Sequence, residues 1–283
     1  MMNILLKILI SALSYLPLRV LYIISDFMFL FIFYIIKYRR KVVKQNLKNS
    51  FPGKSDKELN KIERKFYHHF SDLIFEIIKL TSISEGNLRE RVIFTNPELF
   101  EKYKEVSIVL AVSHYGNWEW GISGISLNTE QKMMGVYKKL NNLFFNDFMN
   151  KNRAKFGADL VEINGTFRYL IKNKNNPKII GLLADQSPTK NDSNYWATFL
   201  NQETSVYLGP EKISKKFNYP VLFCSMKKVK RGYYEVLIEE LCTNPEKTTE
   251  GEITSLYLQK AEEKIKENPE FWLWTHRRWK HKR

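Results

Sequence analysis

Apolar residues are distributed in three ways along this chain. From residue 4 to residue 36 they run with few breaks, and the only charges are Lys7, Arg19 and Asp26. After Ser55-Asp56-Lys57-Glu58, a sequence that starts helices, Leu59, Ile62, Phe66, Phe70, Leu73, Ile74, Ile77 and Ile78 recur at three- and four-residue steps. That spacing predicts one long amphipathic helix. Beyond residue 90 short apolar runs alternate with helix-like stretches. Segments 92–95, 107–113, 132–137, 159–163, 179–184, 221–226 and 233–238 read as strands, and 117–125, 142–156, 166–174, 206–217 and 255–266 read as helices. The alternation predicts an α/β fold with a mixed, largely parallel sheet flanked by helices. Two parts are expected: a membrane-anchoring segment with its basic flank, 1–44, and an α/β domain, 45–283.

The densest apolar stretch, 20–36, reaches about 26 Å as a helix, slightly less than a hydrocarbon core of about 30 Å. Asp26 near its centre would cost about 3 kcal/mol, so spanning the bilayer and lying partly in its interface both remain open. Phe27, Phe29, Phe31, Phe33 and Tyr34 crowd every face of such a helix, which suits lipid better than one-sided packing. A buried helical pair in a soluble core is the competing reading. Lys37, Arg39, Arg40, Lys41 and Lys44 follow at once, and the positive-inside rule then puts the rest of the chain in the cytoplasm.

Composition narrows the classes further. With 283 residues, 44% hydrophobic and 27% charged, the chain is neither collagenous nor disordered, and a mean hydropathy of −0.37 excludes a polytopic transporter. Two cysteines, Cys224 and Cys242, are too few for a disulfide framework and read as packing thiols of a reducing compartment. The net charge of +15 suggests a polyanionic partner, but +6 of it lies in residues 1–44 and +5 in the last twelve residues. Without an RNP, KH, helix-turn-helix or zinc pattern, and with a nearly neutral middle, a nucleic-acid partner is disfavoured. His68 and His69 are adjacent in a helix and face different ways, so no shared metal site is expected, and nothing else in the sequence calls for a cofactor.

Candidate chemistry gathers where strands end. The buried run 108–113 leads straight into His114-Tyr-Gly-Asn-Trp-Glu119, and ligand sites in α/β domains lie beyond the carboxyl ends of strands. Gly116 permits a sharp turn, and Asn117 can cap the helix that follows. Glu119, in the first turn of that helix, is expected to fold back and orient His114 as a general base. A second strand ends in Asp185-Gln186. The helix expected at 142–156 carries Arg153, a cation with a fork suited to carboxylate or phosphate. The chain closes with Phe271-Trp-Leu-Trp-Thr-His-Arg-Arg-Trp-Lys280, in which Arg277 and Arg278 alternate with aromatic residues.

Together these segments resemble the lipid A biosynthesis acyltransferases, the late enzymes that add lauroyl or myristoyl chains to a lipid A precursor. The resemblance runs over nearly the whole chain and rests on 113–119, on Asn-Arg then Phe-Gly-Ala-Asp-Leu-Val within 152–161, on Asp185-Gln186 and on 271–280. It implies a fold related to glycerol-3-phosphate acyltransferases, a cell inner membrane location, an acyl carrier protein thioester or acyl-CoA as donor and no cofactor. By the same resemblance His114 and Glu119 match the catalytic pair. Arg153, Asp185, Gln186, Arg277 and Arg278 match positions associated with substrate, and Asn117 matches a structural turn. The polar segment 189–195 departs from the family by lacking the glycines usual there. The same catalytic pair would also serve a lysophospholipid, an aminolipid or a glycosylated phospholipid as acceptor.

Overall fold

The computed structural model describes residues 2–189 and 195–282; most of the polar segment 189–195 lies outside them. Helices α1 (Met2–Tyr15), α2 (Leu18–Leu30), α3 (Arg40–Ser50), α4 (Asp56–Leu80) and α5 (Glu85–Arg91) precede the sheet. Then follow β1 (Val92–Phe94), α6 (Glu98–Lys102), β2 (Ile108–Val112), α7 (Trp118–Asn128), β3 (Lys132–Tyr137), α8 (Leu143–Ala154), β4 (Asp159–Glu162), α9 (Thr166–Lys172) and β5 (Lys178–Leu183). The remainder is β6 (Tyr195–Phe199), β7 (Gln202–Val206), α10 (Gly209–Phe217), β8 (Val221–Lys230), β9 (Tyr233–Cys242) and α11 (Glu252–Glu267).

Seven strands form one sheet in the order β1-β9-β8-β2-β5-β3-β4, and within it β8–β9 is the one antiparallel pairing among the described residues. No helix separates these two strands: Arg231-Gly232 turns the chain directly, with Gly232 at φ +74°. The short hairpin β6–β7, which the apolar pattern does not announce, stands outside the main sheet and delays α10 to Gly209. Strand β2 lies at the centre and is buried throughout. Its odd residues, Val109 and Ala111, face a core shared with α10, α11 and the carboxyl-terminal tryptophans; Ile108, Leu110 and Val112 face one shared with α5 and α7.

Helix α4 begins with a capping box in which Ser55 and Glu58 exchange hydrogen bonds. Its apolar stripe joins the amino-terminal helices to the sheet. Helix α2 runs on through a π-helical turn, Phe31–Ile36, and ends where Lys37 adopts a left-handed conformation at φ 54°. The aromatic residues expected to face lipid on all sides divide into two sets. Phe29 and Phe33 are buried against His68 and Tyr67 of α4, whereas Phe27, Phe31 and Tyr34 are exposed. Helix α2 therefore has one docked face and one bare face.

Asp26 is not left unpaired on that helix. Arg231 donates to it at 2.6 Å and holds Asp72 of α4 at 2.6 Å through the same Nη2, while Ser25 and Lys228 also donate to Asp72. Asp26, His68 and Asp72 have the spacing of a metal site, but the Arg231 guanidinium bridges the two carboxylates and, with Lys228 on Asp72, balances their charge. Asp72 is buried, and replacing Arg231 by Met removes its forked partner and leaves Lys228 as its remaining close cation. Urea unfolding of the detergent-solubilised R231M variant is expected to show a loss of about 3 kcal/mol.

Candidate active site

The register of two parallel strands builds the centre of the site. Val112 of β2 pairs with Leu183 of β5, and the Ala184 N–H continues the ladder by donating to the Val112 carbonyl. Two residues beyond each end stand His114 and Asp185, brought face to face. Asp185 Oδ1 lies 2.7 Å from His114 Nδ1, and Asp185 Oδ2 accepts from the His114 backbone N–H at 3.0 Å. Trp272 Nε1 donates to the same Oδ2 at 2.7 Å. Burial alone would raise the Asp185 pKa, but His114 and these donors outweigh it and hold the carboxyl below its ordinary value. An ionised carboxylate only accepts, so Nδ1 carries the proton and Nε2 presents a lone pair. Among the described residues Nε2 has no protein partner, and the His114 side chain keeps 16% of its exposure.

Glu119 does not fold back onto His114 as expected from sequence. Both its oxygens are taken by Arg153, Nε to Oε2 at 2.8 Å and Nη2 to Oε1 at 2.5 Å, and Trp118 Nε1 adds a third donor at 3.0 Å. The helical geometry of α7 turns residue 119 away from the turn and towards the end of α8, where Arg153 arrives. Burial disfavours the Arg153 charge, but Glu119 more than offsets this and raises its pKa. Trp118 joins the two pairs, since its ring also meets the His114 imidazole edge-on at 5.0 Å. Asn152 fixes the end of α8 against α4 by accepting from Thr81 and donating to the Ile77 carbonyl.

The turn 114–117 is held on every side. Gly116 sits at φ +64° above Met226, whose side chain a Cβ would meet at 3.1 Å, and Met226 Sδ accepts the Asn117 N–H. Asn117 caps α7 by accepting from Trp120 N–H, and its Nδ2 donates to Glu76 Oε2 at 2.7 Å. Glu76 is wholly buried, accepts as well from the Tyr22 and Tyr234 hydroxyls, and has its pKa raised by that burial. His69 reaches the Gly116 carbonyl through Nε2 at 3.2 Å; burial pushes its pKa down to about 3, so it donates as a neutral ring. From the other side Gly116 N–H donates to the Phe271 carbonyl, and Leu273 N–H donates to the His114 carbonyl.

The carboxyl-terminal motif is thus a strap across the turn. Arg278, matched by resemblance to a substrate position, is buried, lies over Phe199 and donates to the Ser205 carbonyl at 2.7 Å. Burial lowers its pKa to about 10. It does not face solvent, whereas Arg277 is exposed and Gln186 half-buried. Cys224 lines a narrow apolar cleft behind the turn with Trp118, Ile122 and Met226, and burial pushes its thiol up to about 12. That is far from the reactive range.

With this geometry in place, comparison with protein families is informative. Residues 2–281 match the model for bacterial lipid A biosynthesis acyltransferases. The chain belongs to that family. Comparison with curated proteins gave no match. Membership in the lipid A acyltransferases makes the chain an acyltransferase-type enzyme of lipid A biosynthesis. Sequence reasoning placed Asp185 beside the site without assigning it the imidazole, and it missed Glu76, His69 and Met226. The Asp185 contact had a partial signal, because two strands predicted from their apolar runs are each followed at once by a polar residue; that the two strands are neighbours comes from the structure. Nothing in the apolar period of α4 distinguishes Glu76 from a surface residue.

Replacing Asp185 by Asn offers Nδ1 a donor in place of an acceptor. Nitrogen-15 histidine spectra at neutral pH are expected to move His114 from the Nδ1–H to the Nε2–H tautomer. The stability difference has a definite sign: a carboxylate with a lowered folded pKa stabilises above its unfolded value of 3.8, and that contribution disappears as pH falls through the folded value. D185N is therefore expected to unfold more easily than wild type at pH 7, with the gap closing below about pH 4.

Proposed function

We propose that the chain transfers a fatty acyl group from an acyl carrier protein thioester to a hydroxyl of a lipid A precursor at the cytoplasmic face of the inner membrane. The observation that carries this reading is the free Nε2 of His114, aimed away from an ionised Asp185 at the carboxyl end of the sheet in a chain of this family. Nε2 takes the hydroxyl proton as the oxygen attacks the thioester carbonyl carbon. The tetrahedral intermediate collapses, the C–S bond breaks, and the imidazolium returns the proton to the departing thiolate. The Gly116 and Asn117 amides of the turn are already engaged, and Arg153, held by Glu119 and with no partner at Nη1 among the described residues, is the cation assigned to the oxyanion. Transfer is direct, since the one thiol near the turn is kept protonated by burial.

The bare face of α1 and α2 supports the membrane part of this reading. Ile4, Leu5, Ile8 and Leu9 of α1 and Ile23, Phe27 and Leu30 of α2 are exposed. With Asp26 paired to Arg231 on the domain side, the helices enter lipid by one face and stay docked on α4 by the other. The basic flank Lys37–Lys44 and the unpaired thiols favour the cytoplasmic side.

The test is an assay of acyl carrier protein thioesters with a tetra-acylated lipid A precursor, read by mass spectrometry. H114A is expected to lose about 10²–10⁴-fold in turnover while keeping the wild-type circular dichroism spectrum. Wild-type turnover by that variant would end the assignment of His114 as base. Consumption of thioester with acylation only of phospholipid would end that of the acceptor.

A further inference from the structure

A second polar cleft lies well apart in sequence from His114 and Arg153, between the elbow that joins α1 to α2 and the junction of α4 with α5. Its free volume is about 600 Å³, and Pro17, Arg19, Lys79, Ser84, Asn87 and Arg91 are among its lining residues. Three of those are cations, and no carboxylate lines the cleft. Arg19 is exposed and, among the described residues, makes no hydrogen bond or ion pair. Lys79 donates to the Ser14 and Leu16 carbonyls, which leaves one N–H free. Arg91 is stacked on Tyr233 at 4.6 Å and donates from Nη1 to the Gly232 carbonyl, while its buried Nε has no partner. Burial and the neighbouring Arg91 both lower the Lys79 pKa, as expected where like charges converge without a counter-ion.

The cleft also receives the amino end of α2. Pro17 is the N-cap of that helix and gives no side-chain cap, so the first amides and the positive end of the helix dipole open towards the cations. A doubly or singly charged phosphate suits such a place. Its place in the chain indicates what carries the phosphate: the lining residues Pro17, Leu18 and Arg19 fall between the exposed apolar residues of α1, which run to Tyr15, and those of α2, which begin with Val20. We propose that this cleft binds the phosphodiester headgroup of an anionic phospholipid, whose acyl chains then lie along the bare faces of α1 and α2. The inference rests on the membrane-association part of the proposed function. It adds a lipid site that plays no part in acyl transfer, one that would fix how the enzyme sits on the bilayer.

The full chain is tested by co-sedimentation with vesicles of phosphatidylcholine alone and with one-fifth phosphatidylglycerol. Wild type is expected to bind the anionic vesicles about tenfold more tightly, the scale of one or two basic side chains at such a surface. R19E and N87E each place a carboxylate at exposed positions of the cleft and are expected to bind both vesicles alike, at the neutral-vesicle affinity. K7E makes the same charge change as R19E on exposed α1 outside the cleft and is expected to keep the preference. Equal losses for K7E and R19E would overturn the site in favour of diffuse attraction. So would an Arg19-dependent rise in melting temperature with inorganic phosphate when anionic vesicles gain no preference, because the ligand would then be a soluble anion. Failure to bind either vesicle would refute the membrane reading itself, whereas binding both equally would refute only the cleft.

Discussion

Everything at the candidate site depends on the pair of bonds that Asp185 makes to His114, one to the ring and one to the backbone. A single bond to Nδ1 would fix the tautomer but leave the ring free to swing. The second bond ties the residue's own amide to the same carboxylate, so ring and main chain are oriented together. The carboxylate is itself held by Trp272 and by its place beyond β5. This is why the site needs the parallel β2–β5 register: a slip by one residue would send Asp185 to the other face of the sheet. The sheet thus acts as the ruler that sets the distance between acceptor and ring.

Such precision has to be maintained against a turn that contains glycine and follows a strand directly. Three elements distant in sequence do so. Helix α4 supplies His69 and Glu76, β8 supplies Met226, and the carboxyl-terminal strap supplies the Phe271 and Leu273 backbone groups. Glu76 connects further, through the Tyr22 hydroxyl, to the helix that carries the apolar face. The turn that carries His114 and the helix with the bare apolar face therefore share one buried carboxylate, Glu76, through Asn117 and Tyr22.

Much of this was legible before any coordinates. The strands were readable because central parallel strands are continuous apolar runs, and α4 because its stripe has helical period. His114 and Asp185 stood out because polar residues directly after buried runs are conspicuous, and Arg153 as a forked cation near the end of an expected helix. Their pairing was not readable. His-x4-Glu suggests proximity within the chain, yet a helix turns its fourth residue to a new neighbour, and Arg153 from another helix claimed Glu119. Long-range partners follow from strand register and helix docking, which a linear pattern does not specify. The β6–β7 hairpin escaped for a related reason: short strands rich in Thr, Gln and Glu carry no apolar alternation. The burial of Arg278 was not readable either, because a cation amid tryptophans gives no sign that its side chain turns inward from the strap to the Ser205 carbonyl.

Asp26 shows how the meaning of a charge depends on its partner. On an isolated apolar helix it argues against lipid, since an unpaired carboxylate in hydrocarbon is costly. In the folded chain Arg231 draws it to the domain side, and that same pairing dictates which face of α2 remains bare. A helix pinned along α4 by an ion pair, by Ser25 on Asp72 and by Tyr22 on Glu76 cannot expose all its sides to lipid without breaking buried hydrogen bonds. The physical consequence is that α2 keeps one bare apolar face and one docked face. Under the membrane reading proposed above, the basic residues of the amino-terminal segment would serve as headgroup contacts beside that face, which would give much of the charge surplus at the amino end of the chain a local use.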